Sequence, residues 1–299
     1  MNKFLIRAAT GLSLAAIVIF GLLWSEWFYL SLTLVVVGGG LWELYNISGL
    51  AHKNDGKFAA KYKYIGLSLA LFVQLLSFAM NHRYSYVDIS LVFSAILFVF
   101  FIVELYSKAE NPFDNIAWNL LSLVYILLPV LLLNKMYFDK GKLTVLAVLF
   151  LSWFFDSWSY IFGSLLGKHK LFERVSPKKT IEGLIGGFVL TVALAYFYPV
   201  ILSWLVSVLP SFVIYAPTYT SLQWVFITVI ATIAFTYGDL VESLLKRSVG
   251  VKDSGSVIPG HGGFLDRLDA IVLGVPFIAL TLWLVDQYQA ILVVLNFVK

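Results

Sequence analysis

Carboxylates are costly wherever lipid replaces water, so each one in a strongly apolar chain needs a partner or a task. Two groups of them frame a polar stretch. In "YGDLVESLLKRS", Asp239 and Glu242 lie three residues apart and Lys246 four beyond, which puts the three on one helix face. A helix pair accounts for Glu242 and Lys246 but leaves Asp239, one turn deeper among apolar neighbours, unexplained. In "HGGFLDRLDA", Asp266 and Asp269 are again three apart, at the start of the last apolar run, where the helix dipole favours acids and capping explains one of them. Between the groups, "SGSVIPGHGG" supplies glycines that let backbone N–H groups turn toward an anion, with Pro259 fixing the entry. Hard carboxylate oxygens suit Mg2+, and lysines, arginines and backbone N–H groups suit phosphate oxygens. The chemistry expected of this set is the handling of a metal-bound polyphosphate.

A third candidate is "FFDSWSYIFGSLLGKHK", where Asp156, Tyr160, Gly163 and Gly167 are spaced to share one helix face. That face either packs closely on a neighbour around one buried acid or leaves room for a ligand. Glu43 and Glu104 sit near the ends of apolar runs and read as interfacial acids bonded to a neighbouring helix or to water. "GSLLGKH" fails as a P-loop: three residues separate its glycines where four are needed, and His follows the lysine. His261 and His169 lack the partner histidines of a zinc site; His261 is a candidate phosphate contact and His169 a solvated loop residue.

The elements that must position these groups are membrane helices. The chain has 299 residues, 60% hydrophobic and 13% charged, with a mean hydropathy of +0.89. That is too apolar for an ordinary soluble surface. Cysteine is absent, which excludes disulfides and thiolate metal sites. Apolar runs near 8–24, 27–46, 64–80, 89–106, 117–134, 143–165, 183–206, 222–244 and 268–297 predict an all-α polytopic bundle of about nine transmembrane helices. The basic, apolar N-terminus reads as an uncleaved first crossing. One integral membrane domain over 1–299 is expected, with N-terminal helices in 1–140, the chemistry-bearing region in 150–270 and the last helix over 268–297.

With the N-terminus in the cytoplasm, 16 of the 21 Lys and Arg fall on the cytoplasmic side. The loops Gly167–Thr180 and Leu245–Arg267 then share that face, where cytosolic nucleotides are found. Residence in a bacterial-type inner membrane follows as the expectation, with the lipid bilayer as partner and no nucleic acid. Gly183, Gly186 and Gly187 suit close helix packing, either within a subunit or in a homodimer.

At "SLLKRSVGVKDSGSVIPGHGGFLDRLD" the sequence resembles the phosphatidate cytidylyltransferase (CDP-diacylglycerol synthase) family. Its pattern reads S-x-x-K-R, four residues, K-D, then P-x-H-G-G-x-x-D-R-x-D. Ser243, Lys246, Arg247, Lys252, Asp253, Pro259, His261, Gly262, Gly263, Asp266, Arg267 and Asp269 are in register. A second block, "SPKKTIEGLIGG" from Ser176, resembles the family's cytoplasmic loop, and Asp156, Tyr160 and Gly163 also correspond. The resemblance covers residues 150–270 and is only hydropathic before that; Ser164 and Ser159 depart from a usually basic and a usually small position.

The resemblance implies Mg2+-dependent conversion of CTP and phosphatidate to CDP-diacylglycerol and pyrophosphate, with room for a second cation, monovalent or divalent. It implies catalytic roles for Asp239, Asp266, Asp269, Lys246 and Arg247, and metal ligation by Asp239, Asp266, Asp269 and Asp156. Substrate contacts would come from Tyr160, Ser176, Lys178, Lys179, Lys252, Asp253, His261, Gly262, Gly263 and Arg267. Two other classes share parts of this chemistry. A CTP-dependent polyprenol-type lipid kinase would release CDP in place of pyrophosphate. An ion-coupled transporter would show repeated halves, and the sequence has none.

Overall fold

The computed structural model describes residues 3–51, 56–82, 89–106, 111–210, 218–258 and 262–297. Its helices are α1 (Lys3–Leu23), α2 (Glu26–Ala51), α3 (Gly56–His82), α4 (Ile89–Leu105), α5 (Pro112–Ser122) and α6 (Leu128–Lys140). They continue with α7 (Lys142–Leu166), α8 (Ile181–Tyr196), α9 (Tyr198–Val208), α10 (Ser221–Ser248) and α11 (Asp269–Phe297). A π-helical turn, Leu123–Leu127, joins α5 to α6, and a 3₁₀ turn, Leu265–Arg267, precedes α11. The strands β1 (Lys170–Phe172) and β2 (Ser176–Thr180) form one antiparallel hairpin between α7 and α8.

The chain is an all-α membrane protein, and each of the nine apolar runs is helical. Among the described residues, six helices are long and apolar enough to cross a membrane, and the bent pair α8–α9 makes a seventh. The apolar parts of α1 and α4, Ala9–Leu23 and Ser94–Leu105, are shorter than that. Length therefore supports six or seven crossings where about nine were expected from hydropathy. The run 183–206 is also not one straight helix, because α8 and α9 meet at 58°. Pro199 near the start of α9 has no N–H to give and its ring clashes with the preceding turn, so the helix breaks just before it. Leu12, Phe98, Ile102, Val189 and Trp283 are all more than half exposed, which suits a lipid-facing surface and not a watery one.

Local signals set the helix ends. Ser25 caps α2, its hydroxyl accepting from the Phe28 N–H at 3.3 Å, with Glu26 in the first turn. Thr220 and Gln223 bond reciprocally at 2.9 and 3.3 Å, a capping box that starts α10. At its other end, the Gly250 and Val251 N–H groups donate to the carbonyls of Arg247 and Lys246. Gly250 has a φ of 77°, the left-handed residue that such a cap requires.

The chain divides into two compact units. The first, residues 1–138 and 244–268, packs α2 against α1, α3, α5 and the 3₁₀ turn. Its interior holds polar groups that satisfy one another: Gln74 donates to Thr33 at 2.7 Å and accepts from Asn134 at 3.0 Å, and Tyr45 donates to Asn119 at 2.9 Å. Glu104 accepts from Asn115 of α5 at 3.0 Å, as an interfacial acid should.

The second unit, residues 139–243 and 269–299, is built on the antiparallel pair α7–α8. A Cβ at Gly183 would lie 2.6 Å from the Ser159 carbonyl oxygen and 2.9 Å from Gly163 Cα; one at Gly187 would lie 2.0 Å from Ser159 Oγ. Those glycines thus serve contact within the subunit. The stripe of α7 that meets α8 is Phe155, Ser159 and Gly163, whereas Asp156 and Tyr160 face outward, Tyr160 at 77% exposed. Trp224, fully buried on α10, packs edge-on to Tyr198 and Tyr219 with centroids 5.1 and 5.7 Å away.

Because backbone atoms face Gly183, neither helix can yield by rotating a side chain. Gly183→Ala is expected to destabilise the protein by about 1–3 kcal/mol, read as a lower melting temperature in detergent; a wild-type melting temperature would contradict this packing.

Candidate functional site

In the first unit the polar stretch is organised by one acid. The cap at Gly250 folds the chain back along the end of α10, and Arg247 Nη1 donates to the Val251 carbonyl at 3.0 Å. Ile258 and Gly262 then pair across a short antiparallel bridge, with the Ile258 N–H donating to the Gly262 carbonyl at 2.9 Å. Gly262 has a φ of 84°, and a Cβ there would lie 2.5 Å from Asp266 Oδ2, so this position needs glycine on both counts.

Asp266 lies in the 3₁₀ turn before α11, 8% exposed. Its Oδ1 accepts from Lys246 Nζ at 2.6 Å. Its Oδ2 accepts from the Gly263 N–H at 2.8 Å, the Ser254 N–H at 3.0 Å and the Ser254 hydroxyl at 3.0 Å. Burial alone would raise the Asp266 pKa. The Lys246 bond and charge and the Gly263 and Ser254 N–H groups outweigh it, and the carboxyl is held below the usual range. Lys246 is itself buried at 8% exposed, with its ammonium against Asp266 Oδ1. Arg247, Lys252, Asp253 and Arg267 are exposed around it. Pro259 and His261 lie outside the described residues.

Glu43, an interfacial acid by its place in the sequence, is central to the turn. Glu43 of α2, 3% exposed, accepts from the Phe264 N–H at 2.9 Å, the Leu265 N–H at 3.0 Å and the Ser254 hydroxyl at 2.7 Å. Only its cost as a carboxylate in an apolar helix pointed to it beforehand.

In the second unit the hairpin delivers a lysine to an acid. Thr180 caps α8, accepting from the Gly183 N–H at 3.2 Å, and Glu182 accepts from the Lys168 and His169 N–H groups at 3.0 and 3.1 Å. His169, exposed as expected, also meets Glu182 through Nδ1 at 2.6 Å. These bonds fix both ends of the hairpin, and Lys179 of β2 forms an ion pair with Asp239 of α10. The other Asp239 oxygen accepts from the Ser243 hydroxyl at 3.3 Å. The adjoining Gly238 lets α10 approach the first turn of α11: a Cβ there would lie 2.6 Å from the Asp269 carbonyl oxygen. Asp239, Lys179 and the Asp269 helix start are thereby gathered in one unit, with Lys178 exposed and Ser176 half-buried on the hairpin. Asp156 is exposed on α7.

Among the described residues no three His, Asp or Glu side chains gather as an all-protein metal cage. Mg2+ commonly takes only one or two carboxylates and completes its octahedron with water and substrate phosphates. Asp239 fits that role best, with a side chain 23% exposed and oxygens that the Lys179 and Ser243 bonds do not saturate. Asp266 fits less well, because its Oδ1 is taken by Lys246 and its Oδ2 accepts two backbone N–H groups and shares the Ser254 hydroxyl with Glu43.

The bonds to Asp266 predict a pH-dependent stability. A depressed folded-state pKa adds stability that is present above the ordinary carboxyl value, about 3.9, and is lost as pH falls through the folded value. Asp266→Asn, which removes the buried charge that Lys246 Nζ meets at 2.6 Å, should cost about 3–5 kcal/mol at neutral pH. In thermal melts the gap between wild type and variant should close at more acid pH, and a pH-independent gap would contradict the ion pair.

Residues 5–285 match the model of the cytidylyltransferase family. The chain is 36% identical over 187 residues to the phosphatidate cytidylyltransferase of Thermotoga maritima, covering 61% of this chain and 66% of that protein. It is 34% identical over 194 residues to the phosphatidate cytidylyltransferase of Staphylococcus haemolyticus, covering 63% and 67%. The protein of that name from Staphylococcus saprophyticus is 33% identical over 190 residues, with the same coverage of 63% and 67%. The chain thus aligns with about two thirds of the length of these curated relatives. The family match takes in the N-terminal helices as well as the glycine turn, and on that span the chain belongs to the cytidylyltransferase family.

Proposed function

We propose that the protein is a membrane nucleotidyltransferase that converts CTP and phosphatidate to CDP-diacylglycerol and pyrophosphate, with its polar face in the cytoplasm of a bacterial inner membrane. The observation that carries this reading is the Lys179–Asp239 pair, a cation and an acid set beside the Asp269 helix start in an otherwise apolar unit. A polyphosphate needs cations for its oxygens, and a metal-bound one needs carboxylates for the ion.

The chemistry asks little of a general base. A phosphomonoester has a second pKa near 6, about the value for phosphorylated side chains, so at neutral pH phosphatidate is largely a dianion and already a nucleophile. One of its oxygens bonds to the α-phosphorus of CTP, the bond from that phosphorus to the bridging β-phosphate oxygen breaks, and pyrophosphate leaves with the electron pair. The obstacle is charge, since two anions must meet and a third must depart. Mg2+, when bound, neutralises phosphate charge.

The chain's own groups do the rest. Lys178 and Lys179, on a hairpin braced by Glu182 and Thr180, meet triphosphate oxygens, with Ser176 on the same strand. Arg247, Lys252 and Arg267 serve the anionic headgroup and nucleotide, with Asp253 and His261 as polar contacts. Asp239, with the Asp269 helix start beside it, would hold the metal, whose other ligands would be water and substrate phosphates. Asp266 and Lys246 keep Gly262 and Gly263 in the conformation that lets backbone approach phosphate.

Asp239→Asn should lower Mg2+-dependent pyrophosphate release from CTP and phosphatidate by at least about a hundredfold, with an unchanged melting temperature in detergent. Wild-type turnover in this variant would refute the metal assignment. CDP release by the wild-type protein would favour the lipid-kinase reading.

A further inference from the structure

Glu43 lies on α2, in a part of the chain that no motif connects to phosphate chemistry, yet it bonds the glycine turn. Its two oxygens take three donors from two separate segments: Ser254 from one, Phe264 and Leu265 from the other. Ser254 Oγ stands 2.7 Å from Glu43 Oε2 and 3.0 Å from Asp266 Oδ2. A hydroxyl has one proton, so Ser254 serves one carboxylate at a time and couples the position of each to the other.

The turn is shaped around this acid. A Cβ at Gly263 would lie 2.2 Å from Glu43 Oε2, and one at Gly255 would lie 2.5 Å from Oε1. One helical turn earlier on α2, Gly39 lies against the Phe264 ring, where a Cβ would be 2.8 Å from two ring carbons. Gly39 and Glu43, four residues apart, therefore form a seat that takes Phe264 on one side and the turn's N–H groups on the other. An acid that merely filled space would not need three donors or two facing glycines.

We propose that Glu43 is a positioning residue for nucleotidyl transfer. It fixes the backbone at Phe264 and Leu265 and, through Ser254, the Asp266 carboxylate. This rests on the functional reading above and extends it to the N-terminal helices, giving α2 a share in the reaction without contact to substrate.

The test compares wild type with Glu43→Gln, Ser254→Ala and the double variant in detergent. Glu26→Gln is the control: it lies at the other end of α2, where the carboxylate meets half-exposed His82 at 2.6 Å. Glu43→Gln should lower kcat at least about tenfold while the KM for CTP stays within about threefold. Hydrogen exchange should speed up in peptides covering 262–268 and not in the rest of α2. The double variant should match Glu43→Gln within about twofold, because both changes cut one network. Unchanged kcat and unchanged exchange in Glu43→Gln would overturn the proposal. So would a loss that adds fully to that of Ser254→Ala and comes with melting of the whole protein. If wild type itself made no CDP-diacylglycerol, the functional reading would fall, and exchange at 262–268 would still decide whether Glu43 holds the turn.

Discussion

Asp266 meets four donors from three residues: Lys246 on one oxygen, and Ser254 and Gly263 on the other. Leaving water makes such an arrangement obligatory, since a buried carboxylate without donors would give up its charge or its place. The consequences run outward through the first unit. Gly262 and Gly263 must be glycine because carboxylate oxygens occupy the space of a Cβ. Ser254 must present its N–H, and its one hydroxyl proton alternates between Asp266 and Glu43. Lys246 is withdrawn from solvent, which leaves Arg247, Lys252 and Arg267 as the exposed cations of the stretch.

The second unit answers the same constraint differently. Asp239 sits on a long helix among apolar residues, and its charge is met by a lysine brought in on a two-stranded hairpin. That hairpin is anchored through Glu182 and Thr180 to α8, and α8 is anchored to α7 by glycines whose backbones touch. Close helix packing and site geometry are therefore one problem: loosening the α7–α8 contact would shift the strand that carries Lys179. In a membrane, where apolar side chains gain little by leaving lipid, such backbone contact is a main source of helix association.

Much of this was legible beforehand. Apolar runs located the helices α1 to α11, and the glycines of 254–263, framed by acids on both sides, marked the turn. The bend at Pro199 was readable in principle, but hydropathy averages over single residues and ran straight through it. The facing of α7 was missed by one position. Spacing groups Asp156 with Tyr160, but the side that packs is chosen by the glycines of α8, and those act through space. Glu43 was the least visible, since its bond to Ser254 spans 211 residues and no local pattern encodes it. Lys246, given a catalytic role by the resemblance, is found bonded to Asp266, because the two are brought together by a cap and a turn that only the folded backbone reveals.

The account stands or falls on which phosphorus of CTP reaches the lipid. Purified protein would be incubated with phosphatidate, Mg2+ and CTP carrying a phosphorus label at either the α or the γ position, and the products separated into organic and aqueous phases. The account predicts α-label in an organic-soluble liponucleotide and γ-label in aqueous pyrophosphate. Label from the γ position in the lipid, with CDP left in water, would contradict it.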